Sequence, residues 1–312
     1  MNTVLRSLDL GIAGWLELTT AASATCRDAV VLVHGNSATP ASFDNTYDEL
    51  RRRGYAASEI VRPDWGSKTC AACNDHNGSE ETPVLNALVD ALARSCTGKI
   101  DVVGHSMGVT LAARQIVRYN LAGRVDSFVG IAGAYRGLRS CGTYPFNVVT
   151  SSCGQYGLSI GSPMLNGIAD QRLGSRMYSI KSWMDQVVCL TGVCTVGGVH
   201  ASQITGENAC YTDATGHFGL TDTAVTQANL IQSSAVGESK FRDASAVWTN
   251  CQARRCGNCS AAITAGCSLA TSVIRCLTEP AMIGSGSSHV RRASRTSCSG
   301  EGCCPRHHWK TP

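Results

Sequence analysis

The chain has 312 residues, 43% hydrophobic and 16% charged, with a formal net charge of +4. That is apolar material for one large domain or two modest ones, and it excludes wholesale disorder; no window of about 18 uninterrupted apolar residues is present, which excludes a transmembrane helix. Residues 240–312 carry ten Lys or Arg against three Asp or Glu, a net of +7, leaving −3 on the rest; the body is mildly acidic, the opposite of a nucleic-acid-binding domain, so nucleic acid is set aside as a main partner.

Residues 1–25 read as a degenerate leader. Arg6 supplies a positive n-region and Ala22-Ser23-Ala24 a small-residue cleavage site, but Asp9 and Glu17 interrupt the apolar stretch between them. Seventeen cysteines, nine from Cys26 to Cys210 and eight from Cys251 to Cys304, call for an oxidising compartment and point to export. Ala29 to Val33 is a short apolar run ending in His34-Gly35, the pattern of a buried parallel strand. A helix over Pro40–Arg53, a strand over Glu59–Val61 and a polar loop over Pro63–Thr82 follow. Pro83 opens a second helix, where Leu85, Leu88 and Leu92 line one face. Ile100–Val103 is the next strand, Val109–Tyr119 the next helix, and Val125–Ile131 and Met177–Ile180 two further strands. Thr195–Ile204 is expected as another, although Gly197-Gly198 breaks it. Alternating strands and helices of this length predict an α/β fold, a mostly parallel sheet covered on both faces. The regular pattern stops near Ile231, and residues 26–239 are expected to form one catalytic domain.

Gly104-His105-Ser106-Met107-Gly108 lies between an apolar strand and an apolar helix. A serine on such a sharp turn is held in strained geometry with its hydroxyl above the sheet, and the flanking glycines avoid collisions with the neighbouring strand and helix. An ordinary glycine-rich turn is the plain alternative; the strand-to-helix placement argues against it. His34-Gly35-Asn36 ends the first strand, where this architecture places one oxyanion-hole donor, so the backbone N–H groups of Asn36 and Met107 are the candidate pair. Serine needs a base and an orienting acid, in the chain order Ser, acid, His. His34, His76 and His105 do not follow the serine, and His289, His307 and His308 lie in the irregular tail. Of the remaining two, His200 sits in an apolar stretch as a packed strand residue would. His217, in Thr215-Gly216-His217-Phe218-Gly219, is the candidate base. Asp185 follows a strand after Ser182-Trp183-Met184 and is the leading acid; Asp170 is the alternative, and Asp213 reads as a solvated loop carboxylate.

These residues resemble a known family, the small bacterial extracellular lipases called class 2 lipases, within the α/β-hydrolases. The matching segments are Val31-Leu32-Val33-His34-Gly35, Gly104-His105-Ser106-Met107-Gly108, Ser182-Trp183-Met184-Asp185 and Gly216-His217-Phe218-Gly219. The family is similar in turn to certain extracellular polyhydroxyalkanoate depolymerases. The resemblance implies an α/β-hydrolase fold without a large lid domain, a triad of Ser106, Asp185 and His217, ester hydrolysis through an acyl-enzyme, no cofactor and no metal. Residues 135–170 depart from the smallest members; Tyr135, Tyr144, Phe146, Pro163, Met164 and Leu165 either form an apolar rim there or pack the loop down.

Cys26 and Cys96 each precede a core strand, and adjacent strands would join them at one sheet end. Cys141 with Cys153 and Cys189 with Cys194 would close short loops, Cys70 with Cys73 would form a local bridge, and Cys210 is expected to be left over. Residues 240–312 read as a low-complexity, poorly ordered extension, of the kind a shifted reading frame produces; a metal module is the alternative, with only Cys256–Cys259 at suitable spacing. Asn77-Gly78-Ser79 and Asn258-Cys259-Ser260 fit the glycosylation pattern and carry little weight. The expectation is a secreted, monomeric serine hydrolase acting on lipid carboxyl esters, chiefly triacylglycerols. Its rivals are a polyester depolymerase and, from another class, a non-catalytic binding protein on the same fold.

Overall fold

The computed structural model describes residues 26–232; residues 1–25, expected as a leader, and residues 240–312, expected as a poorly ordered extension or a metal module, lie outside them. The first strand, β1 (Ala29–Val33), is buried at every residue. A 3-10 turn over Pro40–Phe43 leads into α1 (Asp44–Arg52), and the short β2 (Ile60–Val61) follows. Then α2 (Glu81–Arg94) returns the chain to β3 (Ile100–His105), which passes through Ser106 into α3 (Met107–Arg118) and on to β4 (Val125–Ile131). An insertion comprises β5 (Leu138–Thr143), β6 (Phe146–Asn147), β7 (Ser159–Ile160) and α4 (Pro163–Ile168). The chain rejoins the sheet as β8 (Arg176–Lys181), makes a hairpin of β9 (Thr195–Val196) and β10 (Val199–His200), adds β11 (Ala209–Thr212) and enters α5 (Ala224–Gln232).

Six strands form one sheet in the order β2-β1-β3-β4-β8-β11, and every pairing is parallel. Successive strand residues point to opposite faces, so β1 feeds two cores at once. Ala29, Val31 and Val33 join Val84 and Leu88 of α2 and Leu111 and Ile116 of α3. Val30 and Leu32 join Leu50 of α1 and Leu230 and Ile231 of α5 on the other side. Each such Val or Leu contributes about 1.5–3 kcal/mol by leaving water. Because β2 lies to one side of β1 and β3 to the other, the chain reverses direction across the sheet here. The carboxyl ends of β1 and β3 are thus the topological switch point of the sheet, the place where open parallel sheets bind ligands.

The expected doubly covered sheet is present, with differences at its periphery. Thr195–Ile204 is not a sheet strand: β9 and β10 pair antiparallel and turn at Gly197 and Gly198, with φ of 57° and 74°. Two-residue turns of that hand need positive φ at both central positions, which glycine adopts freely. The sixth sheet strand is instead β11, paired with β8. Helix α2 begins at Glu81, so Pro83 lies within its first turn, where its missing N–H costs nothing. The insertion is mostly packed down rather than a rim. Tyr135, Met164 and Leu165 are buried, the Tyr135 hydroxyl donates to Ile168 O, and α4 packs on α3. Phe146, 91% exposed, Val149 and Pro163 are exceptions. Among the described residues no large separate lid domain forms.

Four disulfides pair as expected, Cys26–Cys96, Cys70–Cys73, Cys141–Cys153 and Cys189–Cys194. Cys210, expected to be left over, is disulfide-bonded as well. The expectation treats the nine cysteines of the body as a closed set, whereas eight more follow in the chain.

Candidate active site

Ser106 stands alone between β3 and α3, with φ 53° and ψ −127°. A residue with a Cβ is strained in that region by about 1–3 kcal/mol, and such strain persists only where surrounding structure enforces it. Here the enforcement is backbone packing. Ser106 N–H donates to Ile131 O at the end of β4, 2.8 Å away. A Cβ on Gly104 would lie 2.8 Å from Val109 Cα, and one on Gly108 would collide with the carbonyl oxygens of Val33 and His34. The two glycines therefore let α3 start directly against the ends of β1 and β3. Met107 is the first residue of α3, so its N–H has no intrahelical acceptor and sits at the positive end of the helix dipole.

The loop after β1 lies against this turn: a Cβ on Gly35 would be 3.0 Å from Ser106 Cβ. Gly35 to Ala38 form a turn closed by Ala38 N–H to Gly35 O (3.2 Å), with Ser37 at φ 55°. His34 anchors the loop. Its Nδ1–H donates to Gly35 O (2.8 Å), its Nε2 accepts from Trp65 N–H (3.2 Å), and its carbonyl accepts from the Trp65 indole (2.9 Å), the two rings being stacked. Burial lowers the His34 pKa and keeps the ring neutral.

Asp185 and His217 come together from loops 32 residues apart. His217 Nδ1 is 2.9 Å from both carboxylate oxygens of Asp185, and both residues are buried. Burial would raise the Asp185 pKa, but the hydrogen bond from His217 and those from Val188 N–H (2.7 Å) and Val187 N–H (2.9 Å) bring it below the usual value. Three side chains that sequence reasoning did not single out as supports hold this pair. Gln186 Oε1 accepts from His217 N–H (2.8 Å). His105 Nε2–H donates to His217 O (3.0 Å), and the two rings lie 4.8 Å apart, so the histidine loop is tied to the residue preceding Ser106. His200 Nε2–H donates to Ser182 O (3.1 Å), at the start of the acid loop. His105 and His200 are buried and pushed down, to about 3 and about 4 respectively, chiefly by desolvation. Asp170 is exposed, and Asp213 accepts from its neighbour Thr215 N–H, so neither competes with Asp185.

The loops that carry Asp185 and His217 expose several large apolar side chains. Trp183, Met184, Leu190, Val193 and Phe218 are all exposed, and Phe218 packs edge-on against His217.

The family model described as Lipase (class 2) matches residues 27–229. The chain belongs to the class 2 lipase family. It is thus an α/β-hydrolase of lipase/esterase type, an ester hydrolase. Among solved structures it is similar to a metagenome-derived lipolytic enzyme of the LipS and LipT pair, at 15% identity and TM-score 0.44 over 65% of this chain and 91% of that one. It is similar to Aspergillus fumigatus lipase B at 18% identity and TM-score 0.41, over 61% and 44% of the two chains. Bacillus licheniformis lipase BlEst2 in mature form gives 13% identity and TM-score 0.46, over 65% and 89%. Membership of the class 2 lipases rests on the family match and not on these distant likenesses. No helix of the described residues is long and apolar enough to cross a membrane.

Proposed function

We propose that this class 2 lipase is a secreted serine hydrolase of long-chain carboxyl esters, triacylglycerols first among them, with Ser106 as nucleophile, His217 as base and Asp185 as its orienting acid. The observation that carries the reading is the buried Asp185–His217 pair, 2.9 Å between Nδ1 and either oxygen, tied through His105 to the strained turn at Ser106. With Nδ1–H donating to Asp185, Nε2 of His217 is left with the lone pair that takes the Ser106 proton as Oγ attacks the acyl carbon. The N–H groups of Asn36 and Met107 receive the negative oxygen of the tetrahedral intermediate; losing one such donor costs about 3 kcal/mol. His217 then returns the proton to the departing alkoxide, and water hydrolyses the acyl-enzyme by the same path in reverse roles. No cofactor enters these steps. Four disulfides support an oxidising, extracellular location, and the apolar surface around Trp183, Met184 and Phe218 supports a lipid substrate over a small soluble ester.

The test is hydrolysis of p-nitrophenyl esters from acetate to palmitate by the intact protein and by Ser106→Ala, followed by triglyceride emulsions and polyhydroxybutyrate films. Activity that is lost in Ser106→Ala, rises with chain length and extends to emulsions is the expected result. Activity retained in the variant removes the serine mechanism. A short-chain preference with film clearance moves the substrate to polyesters.

A further inference from the structure

Asn36 and the Cys70–Cys73 loop are joined by a connected set of hydrogen bonds. Asn36 Nδ2 donates to Ala71 O (3.0 Å), inside the disulfide loop, and Asn36 Oδ1 accepts from Asn74 Nδ2 (2.6 Å). Asn74, buried at 1% exposure, also donates to Ser67 O (3.0 Å) and accepts from Ser67 N–H (2.7 Å). Ser67 O takes a further bond, from the hydroxyl of Ser37 (3.2 Å), and Ser67 Oγ accepts from Cys70 N–H (3.1 Å). Gly66, at φ 68°, leaves room for Asn74, since a Cβ there would lie 2.9 Å from its Oδ1.

Both ends of the Asn36 side-chain amide are thus occupied, and the following residue, Ser37, is held at a φ of 55° that a residue with a Cβ adopts only under constraint. The peptide joining Gly35 to Asn36 carries the Asn36 N–H, and it is restrained from both sides. Gly35 O accepts from Ala38 N–H and from His34 Nδ1–H, while the side chains of Asn36 and Ser37 are held by the 66–74 segment.

We propose that Asn74 is a positioning residue for the Asn36 N–H, and that the Cys70–Cys73 bridge keeps Asn74 and Ala71 in place to do so. The proposal rests on the reading of Asn36 as an oxyanion donor. The Asn74 side chain touches neither substrate nor reacting atoms. It fixes the direction of a donor whose value depends on its aim at an oxygen that is negative only in the tetrahedral state, so the effect falls on kcat and not on KM.

The experiment uses the full chain and p-nitrophenyl butyrate, with Asn74→Ala, Asn36→Ala, both together, the pair Cys70→Ser/Cys73→Ser, and Cys26→Ser/Cys96→Ser, at the other end of the sheet, as a bridge-removal control. Near-UV circular dichroism selects the variants that fold. Misplacing a donor lowers kcat by about tenfold to a hundredfold, so that loss, with KM within about twofold, is expected in each single variant and in the Cys70/Cys73 pair. The control keeps its kcat. Asn36→Ala retains its N–H and loses only the brace, so adding Asn74→Ala to it costs little more; independent structural damage would instead add. Folded variants with kcat within about twofold of the intact protein overturn the proposal, as do fully additive losses. If Asn74→Ala does not fold, unchanged kcat in the Cys70/Cys73 pair overturns it alone. An intact protein that is inactive, and unlabelled at Ser106 by a p-nitrophenyl phosphonate, fails the serine reading itself and takes the brace down with it. Labelling with unchanged variants removes the brace only.

Discussion

The two halves of the candidate site are held by different physics. Around Ser106 the restraints are exclusions: Gly104 and Gly108 let backbone meet backbone, and the strained φ of 53° is enforced by β1, β4 and α3. Around His217 the restraints are directed bonds between side chains and loops, from Asp185, Gln186 and His105, with His200 behind them. The first kind fails when an atom is added; the second fails when a partner is removed or changes its protonation.

The largest expected effect strikes the second half. Asp185→Asn keeps the shape but presents an amide to His217 Nδ1, favouring the wrong tautomer, and kcat should fall about ten-thousandfold. A melting temperature within a few degrees of the parent would accompany that loss; a fall under tenfold would mean that Asp185 is not the orienting acid. Gly108→Ala tests the first half. Its methyl has no space against the carbonyls of Val33 and His34, and the resulting shift should cost about 3 kcal/mol or more of folding stability, read by urea denaturation. Activity would fall with it, whereas an unchanged midpoint would show that α3 can retreat from β1 cheaply.

The smallest effect is graded with pH. His105, and His76 at Nδ1–H to Tyr156 O and Nε2 to Thr110 Oγ1, have folded pKa values of about 3, both lowered by desolvation, against an ordinary 6.5. Between those values the unfolded chain binds the proton and the folded chain does not, so stability falls as pH drops from 6.5 towards 3. Glu207 works the other way: burial raises it to about 7, so its contribution favours the folded state as pH falls from 7 to 4.5. Asp101, raised by burial, adds to that opposition. His200 and His34, both lowered chiefly by desolvation, stand on the histidines' side, so the histidines outnumber Glu207 and Asp101 and the net is a loss of stability as pH falls from 6.5 towards 4.5. Melting curves from pH 7 to 4 read it, and His76→Gln should flatten the slope. A melting temperature that rises on acidification would show the carboxyls winning.

The same contrast explains what is legible in the sequence. Exclusions leave a mark in one dimension, because glycines two before and two after a serine, between an apolar strand and helix, have few other reasons to coexist. The buried core strands are legible for a similar reason: Ala29–Val33 is a continuous apolar run, Val125–Ile131 is carried by Val125, Phe128, Val129 and Ile131, and the bounds of both match. Asp185 and His217 emerge from chain order and loop context. Their supports do not, since nothing in Gln186, His200 or Asn74 announces a partner 31, 18 or 38 residues away. Strand β11 escapes a sequence reading because Ala-Cys-Tyr-Thr at a sheet edge needs no apolar run. The Thr195–Ile204 stretch misleads because its apolar residues serve a hairpin outside the sheet.

For the lipid substrate proposed above, met at an oil–water boundary, the Cys189–Cys194 loop has a consequence of its own. Oil draws exposed apolar side chains outward, and a segment that follows them loses its fold. Leu190 and Val193 are offered on a ring that is covalently shut, with Cys189 N–H bonded to Asp185 O and Cys194 O accepting from Ala201 N–H. Wetting of those two residues therefore pulls on a closed hoop and not on an open strand, and the carboxylate behind it stays where His217 needs it.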